Sequence, residues 1–405
     1  MPAAVPRRRA LLAGAAAALA WLLPRRAPAA AGGARPECAA DWPGWEGFVR
    51  QFLREGDRVV DPSSPVAHTV SEGQAYALFF CLVAGDRARF ERILRWTEDN
   101  LAGGDLSLRL PAWQWGRQAD GSYGILDANS ASDADLWLAY VLGEAGRLWR
   151  ERRYQALSTL LARRILSEET ARLPGLGLAL LPGPHGFAED GRRWRLNPCY
   201  APLFITRWLA EYGGDRRWAD VLQANLRLLR ESAPRGLAPD WAWYEAPAQD
   251  AARASRAPPP GAAGFDRSPQ EAADRIGSFD AIRVYLWLGI TSATDPARAA
   301  LLEHFAPMAD LVEQAGTAPR AVEVFEARSE GAGPAGFAAA LLPFLAGLGR
   351  EQAAQALWAR LQRQPAAADA YFEQALSLFG LGWREGRYAV AADGSLLPAW
   401  QRCAR

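Results

Sequence analysis

From about residue 40 onward, apolar residues recur at intervals of three and four, which is the period of an α-helix. Phe90, Ile93 and Leu94 form one such set. Turns that contain Gly and Pro separate these segments, and the alternation typical of strands is rare. The pattern predicts an all-α protein of about a dozen helices, with a few short strands in the loops.

Some predicted helices are apolar nearly all round, whereas others, such as residues 87–100, carry charge on one face. A helix that is apolar on every side is buried on every side. The mixture favours a barrel of inner and outer helices, although a large irregular bundle would show the same mixture. No break in composition divides residues 32–405, which are predicted to form one domain. The Pro/Ala-rich stretch 246–267 is interpreted as a mobile loop.

The first 31 residues have the composition of an export signal. Three arginines precede an apolar run at 10–23, and small residues follow at 27–31. The run is shorter than the roughly 20 residues that span a bilayer, so we predict cleavage of residues 1–31, with a membrane anchor as the alternative. Arg8 and Arg9 leave both the Sec and the Tat route open. The mature protein is predicted to be periplasmic or secreted, without a membrane anchor.

The charged residues exclude several classes of protein. The chain has 46 Lys plus Arg and 45 Asp plus Glu, and every one of its cationic side chains is Arg. The balanced charge argues against a nucleic-acid partner. The lack of Lys excludes Schiff-base chemistry and a Walker-type phosphate loop. The three His residues have no spacing typical of metal ligands, and we predict neither a metal site nor a cofactor.

Three segments begin with an acid and continue as an apolar helix. The acids are Glu72 and Asp133, each predicted as the first residue of its helix, and Asp280, predicted as the second residue of its helix. Residues 71–74 fit a capping box with Ser71 as N-cap. Each acid could simply complement its helix dipole. If the helices are parallel inner members of one barrel, however, their N-termini meet at one mouth and the acids surround one cleft. The neighbouring Asp135 is interpreted as a capping or supporting residue.

Paired carboxylates in a cleft are the equipment of glycoside hydrolysis, in which one group gives a proton and the other is ionised. A helix N-terminus favours the ionised form of Glu72 and would lower its pKa. For Glu72 to give a proton, either an ionised Asp133 nearby or burial against aromatic rings must raise that pKa. Asp280 is the better candidate to remain ionised, through an ion pair with Arg275 or Arg283.

Trp is unusually frequent, with 17 copies against 15 Phe and 10 Tyr. Flat rings stack on the apolar face of a pyranose, and large aromatic residues in loops mark binding surfaces. Trp113, Trp115 and Trp241 lie in predicted loops and are candidate sugar-binding residues, with packing beneath the loops as the alternative. Tyr200, at the predicted start of a helix, could face the same mouth. Trp137 lies inside a buried helix and is predicted to be core.

Residues 131–139 (ASDADLWLA) resemble the signature of glycoside hydrolase family 8. Residues 42–45, 69–74, 110–113 and 278–287 resemble the family members that are encoded with bacterial cellulose synthases. The resemblance covers most of the mature chain. It implies an (α/α)6 barrel that hydrolyses internal bonds of β-1,4-glucan with inversion at the anomeric carbon, and it implies a periplasmic role in cellulose biosynthesis beside the synthase complex.

The resemblance also implies a role for each matched acid. Glu72 would be the proton donor, Asp280 the base that activates water, and Asp133 a stabiliser of the distorted sugar. Arg283, which lies within residues 278–287, is expected to bind substrate. The stretch 246–267 departs from the family pattern as an insertion near the base.

Two other functions stay open. One is a hydrolase of the same fold that acts on xylan or chitosan. The other is a non-catalytic, glucan-binding component of the synthase, which the matched contexts of Glu72 and Asp280 argue against. Catalysis by a lyase would require a Lys, Tyr or Arg beside an acidic sugar. Because the chain has no Lys, this function ranks last.

Overall fold

The computed structural model describes residues 41–246, 263–269 and 271–403. These ranges contain 14 α-helices, two short 3-10 helices and sixteen strands of at most five residues. The helices are α1 (Pro43–Phe52), α2 (Ser71–Ala84), α3 (Arg87–Leu101), α4 (Ser132–Leu148), α5 (Arg152–Glu168), α6 (Leu203–Tyr212), α7 (Arg217–Glu231), α8 (Ile282–Ile290), α9 (Arg298–His304), α10 (Pro307–Ala315), α11 (Ala335–Gly347), α12 (Glu351–Arg363), α13 (Tyr371–Arg384) and α14 (Ala399–Cys403).

The strands form six small antiparallel sheets at the ends of the helices. They are β1 (Leu53–Arg54), β2 (Arg58–Val59), β3 (Thr69–Val70), β4 (Gln114–Arg117), β5 (Tyr123–Asp127), β6 (Thr170–Leu173), β7 (Gly177–Leu180), β8 (Ala188–Glu189), β9 (Arg193–Leu196), β10 (Ala242–Glu245), β11 (Gly264–Phe265), β12 (Ile276–Gly277), β13 (Pro319–Glu323), β14 (Arg328–Ala332), β15 (Tyr388–Val390) and β16 (Leu396–Pro398). Two of the sheets, β3-β4-β5 and β12-β13-β14, lie directly before inner helices.

Six helices form an inner ring, and each has an outer partner. The inner helices are α2, α4, α6, α8, α11 and α13, and they are buried on nearly every side. The amphipathic helices α3, α5, α7 and α12 pack on α2, α4, α6 and α11, while α9 packs on α8 and α1 on α13. This is the (α/α)6 barrel that was expected, rather than an irregular bundle.

Aromatic rings fill the interior of the barrel. Trp137 on α4 is 1% exposed, which confirms its prediction as core. Its ring lies 5.1–5.6 Å from the rings of Phe79, Phe204, Trp287 and Phe379, which come from four other inner helices. Edge-on and tilted contacts of this kind stabilise by roughly 0.5–1.5 kcal/mol each beyond the buried area. Within the described residues these rings fill the interior of the barrel, which leaves the ends of the helices as the place for a substrate to bind.

Two local expectations at helix starts were wrong. Ser71 is the first residue of α2 and not an N-cap, and Gln74 does not close a capping box. Its amide instead accepts a 2.6 Å hydrogen bond from the Val59 N–H and donates to Thr97. Asp280 is not helical either, because it stands in the turn two residues before α8. In each case a contact with a residue distant in sequence takes the place of the local contact that was predicted.

The predicted leader 1–31 and most of the stretch 246–267 lie outside the described residues. Within that stretch, Gly264–Phe265 forms β11 on the edge of the β8–β11 sheet. None of the helices in the described ranges is both long enough and apolar enough to cross a membrane.

Candidate active site

Glu72 stands in the first turn of α2, at the mouth of the inner ring. The strand β3 ends directly before this helix, and the Ser71 N–H donates to the Trp113 carbonyl at 3.0 Å, so the neighbouring sheet fixes where the helix begins. Tyr76, one turn further on, donates its hydroxyl to Glu72 Oε1 at 2.8 Å. The Glu72 side chain is 20% exposed and thus accessible from solvent.

One guanidinium connects the three predicted acids. Arg283 on α8 donates through Nη1 to Glu72 and through Nη2 to Asp280, and its Nη1 lies 3.4 Å from Asp133 Oδ2. Its own side chain is 6% exposed. Of the two arginines considered as partners of Asp280, the structure places Arg283 there, whereas Arg275 pairs with Glu323. The N-termini of α2, α4 and α8 therefore meet at one mouth, as predicted.

Asp133 is the most enclosed of the three acids. Its side chain is 9% exposed, and its Oδ1 accepts a 2.8 Å hydrogen bond from the Ala134 N–H. Burial disfavours the charged carboxylate and raises the pKa of Asp133 to about 7. An ionised Asp133 was one of the two ways proposed to keep the proton on Glu72; with a pKa of about 7, Asp133 is only partly ionised near pH 7.

Asp280 is held in its turn by Asp240. Oδ1 of Asp240 accepts hydrogen bonds from the backbone N–H groups of Ser278, Asp280 and Ala281 at 2.7, 3.0 and 2.8 Å. Asp240 thus satisfies the donors that the start of α8 leaves unpaired, in the manner of an N-cap. Asn197 donates to Asp280 Oδ2 at 3.1 Å. The Asp280 side chain remains 26% exposed.

The environment of Asp280 shifts its titration towards neutral pH. Burial is the largest cause, the negative charges of Asp240 and Asp133 add to it, and together they raise the pKa of Asp280 to about 7. The hydrogen bond from Asn197 and the charge of Arg195 act in the opposite direction. A general base works best when its pKa lies near the working pH.

Aromatic side chains line the mouth beside Asp280. Trp241 immediately follows Asp240 and stacks on Phe187, with ring centres 6.0 Å apart and an angle of 7°. The ring of Tyr200 lies 5.8 Å from that of Trp241, and the guanidinium carbon of Arg195 lies 4.6 Å from the centre of the Trp241 ring. Tyr200 precedes α6 instead of starting it. Burial, followed by the negative charges of Asp133 and Asp280, raises the pKa of its hydroxyl.

The backbone of Trp113 and Trp115 contacts the segment that precedes Glu72: the Trp113 carbonyl accepts the Ser71 N–H, and Trp115 pairs with Thr69 of β3. Trp113 is in the loop before β4, and its side chain donates to Asp127 and lowers the pKa of that carboxyl. Trp115 was expected in a loop but lies in β4, where its ring stacks on Tyr123 at 5.2 Å and meets Trp96 edge-on. Among the described residues, its ring contacts do not include any of the three acids.

Three residues of the site had not been predicted: Tyr76, Asp240 and Asn197. Tyr76 follows Glu72 by four residues on a helix, so helical spacing could have shown the contact. Asp240 and Asn197 reach Asp280 from 40 and 83 residues away, and no local pattern reports such contacts.

Two partly exposed carboxyl groups that bind one buried guanidinium, in a mouth lined by aromatic rings, can cleave glycosidic bonds, and this chain is a glycoside hydrolase. Direct comparison gives its family. The chain belongs to the glycosyl hydrolases family 8, whose family model matches residues 35–386.

Relatives from several bacteria extend over nearly the whole chain. An endoglucanase of Xanthomonas axonopodis pv. citri (strain 306) is 44% identical over 398 residues, which are 98% of this chain and 97% of the relative. An endoglucanase of Escherichia coli (strain K12) is 43% identical over 376 residues, covering 91% of this chain and 94% of its own. The crystal structure of an endo-1,4-D-glucanase from Vibrio fischeri ES114 superposes with a TM-score of 0.78 at 40% identity, covering 89% of this chain and 100% of that one.

Proposed function

We propose that this protein is an endo-β-1,4-glucanase that hydrolyses internal glycosidic bonds with inversion at the anomeric carbon. The observation that carries the proposal is the meeting of Glu72, Asp133 and Asp280 around Arg283 at a solvent-accessible mouth. The endoglucanase relatives at 43–44% identity support the choice of substrate.

In the proposed mechanism, Glu72 donates its proton to the oxygen of the leaving sugar. In the free protein it is bound to Arg283 and Tyr76, so substrate must displace at least the arginine contact before the carboxyl group can carry that proton. Asp280 then accepts a proton from water as the water attacks the anomeric carbon from the opposite face. Asp133, between the two, stabilises the distorted sugar ring.

The resemblance of residues 131–139 and 278–287 to family 8 supports inversion. An inverting enzyme keeps its two carboxyl groups about 6.5–9.5 Å apart so that a water fits between sugar and base. The Glu72 and Asp280 carboxylates bind different nitrogens of one guanidinium. We therefore assign Arg283 to holding the acids, with a direct substrate contact as a second role.

Sugar binding is assigned to the aromatic residues on both sides of the acids. Trp241 and Tyr200 are half-buried and lie beside Asp280, so they can stack on one end of the glucan. We assign the other end of the glucan to Trp113 and Trp115, whose backbone is joined to the segment directly before Glu72 through β3 and Ser71.

Release of reducing ends from carboxymethylcellulose tests the proposal. The wild type should be active, and Glu72→Gln should lose at least about a hundredfold in kcat, within the contribution of general acid catalysis. Glu330→Gln is the matched control, because Glu330 is an exposed glutamate that pairs with Arg320 in β13. Equal activity of wild type and Glu72→Gln would refute the assigned donor. Cleavage of xylan or chitosan without cleavage of carboxymethylcellulose would refute the substrate.

We also propose that the protein acts in the periplasm on nascent cellulose, with the synthase complex as partner. The export-like composition of residues 1–31 and the resemblance to family members encoded with cellulose synthases support this role. A chromosomal Glu72→Gln allele should change the amount or crystallinity of the cellulose produced. Unchanged cellulose, or a protein that stays in the cytoplasm, would refute it.

A further inference from the structure

The antiparallel pair β9-β10 has two different faces. One face is apolar and buried in a cluster with residues of α7, and it consists of Trp194, Leu196, Ala242 and Tyr244. Side chains alternate along a strand, so the other face carries Arg195 and Trp243, which are direct cross-strand partners. Trp241 precedes β10 on this side, and Asn197, directly after β9, donates to Asp280 at 3.1 Å. The second face therefore leads to the turn that holds the proposed base.

A buried carboxylate fixes the guanidinium of Arg195. Its Nη2 lies 2.9 Å from Oδ1 of Asp274, whose side chain is 4% exposed. Oδ2 of Asp274 accepts a 2.8 Å hydrogen bond from the indole N–H of Trp243. Each oxygen of this buried acid thus has a donor, and one carboxylate holds both a cation and the ring on the facing strand.

The guanidinium of Arg195 lies against Trp241. Its carbon is 4.6 Å from the centre of the Trp241 ring and 5.9 Å from that of Trp243, distances at which a cation is attracted to the face of an indole. The Nε of Arg195 is buried and has no hydrogen-bond acceptor within the described ranges. The contacts that hold Arg195 there are therefore the ion pair with Asp274 and the two rings.

The charges on this face are paired, which does not suit an anionic ligand. Asp274 pairs with Arg195, and Arg193, two residues earlier on β9, pairs with Glu189 and Glu245 at 3.0 and 2.8 Å. The role of Arg195 therefore concerns the ring that it contacts. A ring that is already held in place loses less conformational freedom when it binds a sugar than a ring that must first be ordered.

We propose that Arg195 is a positioning residue which, fixed by Asp274, holds the Trp241 ring in the orientation that binds the glucan. In this role Arg195 does not touch the substrate and acts only through Trp241. The inference rests on the proposed function, because the orientation of the ring matters only if Trp241 binds sugar.

A double-mutant cycle with Trp241 tests this role. We expect Arg195→Met to raise KM for a soluble cello-oligosaccharide by roughly two- to fivefold, the size of an exposed cation–π contact, with a smaller change in kcat. In Trp241→Ala no ring is left to hold, so adding Arg195→Met should not raise KM further. An unchanged KM in Arg195→Met, or a rise by the same factor in both backgrounds, would overturn the proposal.

Asp274→Asn is the second variant, and it decides the question if Arg195→Met does not fold. It keeps the size of the side chain and leaves in place the charge of Arg195, which opposes the rise in the pKa of Asp280, but it removes the ion pair. KM should again rise only while Trp241 is present, and an equal rise without Trp241 would contradict the proposal.

Arg193→Met is the matched control. Arg193 lies on the same face of β9, is 43% exposed and contacts the Trp243 ring at 4.5 Å. Its KM should equal that of the wild type. A rise as large as that of Arg195→Met would show that any change on this face of β9 weakens binding, which would overturn the specific role of Arg195.

Failure of this inference can be told apart from failure of the proposed function. If Trp241→Ala alone left KM unchanged, Trp241 would not bind the glucan and Arg195 would have no ring to position. Release of reducing ends from carboxymethylcellulose by the wild type would still decide whether the protein is an endoglucanase.

Discussion

The backbone N–H of Asp280 donates a 3.0 Å hydrogen bond to Oδ1 of Asp240, which lies 40 residues earlier in the chain. The same oxygen receives the N–H groups of Ser278 and Ala281. Asp240 therefore both fixes the turn that presents Asp280 and places a negative charge beside it. These two effects can be separated by substitution.

Asp240→Asn keeps an acceptor oxygen but removes the charge. Because the charge of Asp240 helps to raise the pKa of Asp280 to about 7, we expect the acidic midpoint of kcat/KM to fall by roughly 0.5–1 unit. Asp240→Ala also removes the acceptor and should destabilise the fold by about 1–3 kcal/mol per unsatisfied buried donor. An unchanged midpoint in Asp240→Asn would contradict the assignment of Asp280 as the titrating base.

Asp133→Asn should stabilise the protein at high pH. The folded-state pKa of Asp133 is about 7, above its unfolded value of about 4, so its contribution to stability is complete below pH ~4 and is lost as the pH rises through 7. The substituted side chain cannot ionise, so the variant does not lose this contribution to stability as the pH rises. We expect its free energy of unfolding, relative to the wild type, to increase between pH 4 and 8 by up to about 4 kcal/mol.

Asp215→Asn is the control for this measurement, because the Arg217 side chain and N–H lower the pKa of Asp215 to about 2. Its contribution is complete above the unfolded pKa of about 4 and is lost only as the pH falls towards 2, so between pH 4 and 8 the curve for Asp215→Asn should run parallel to that of the wild type. Parallel curves for the Asp133 variant and the wild type in urea unfolding would show that Asp133 is not held in its protonated form.

Much of the barrel could be predicted because its inner helices are apolar on every side, and this property is local. The same holds for Glu72 and Asp133, which open such helices. Asp280 was placed inside a helix because nothing near it in sequence reveals the cap from Asp240. Asp135 was interpreted as a capping or supporting residue, and its complete burial in the first turn of α4 is a property of the packing around it that its sequence context does not report.

Arg283→Met should remove both activity and stability. The guanidinium is buried and is the cation that contacts all three acids. Its removal leaves three partly buried carboxyl groups without the ion-pair partner that they share. Breaking a buried ion pair from one side costs about 3–5 kcal/mol. Arg283→Lys keeps the charge but cannot bridge Glu72 and Asp280, so it should recover stability better than activity.

Arg172→Met is the matched control, since Arg172 is 69% exposed and pairs only at the surface with Asp220. Its thermal unfolding and kcat should equal those of the wild type. If Arg283→Met had the wild-type thermal midpoint, Arg283 would not be what holds the acids together.

Trp241→Ala should weaken sugar binding more than it slows the chemistry. Its ring stacks on Phe187 at the mouth, and removing a stacking surface is expected to raise KM for cello-oligosaccharides by about tenfold, equivalent to 1.4 kcal/mol. Trp358→Ala is the control, because Trp358 lies on the outer helix α12 beneath Arg384. Equal KM values for the two variants would remove Trp241 from the substrate-binding surface.

The stereochemistry of the first product tests the account most directly. Proton NMR of a β-linked cello-oligosaccharide mixed with the wild-type protein records which anomer appears before mutarotation. Glu72 as donor and Asp280 as base across one guanidinium predict that the α-anomer appears first. Initial formation of the β-anomer would contradict this account, because retention requires a carboxylate that attacks the sugar and not one that activates water.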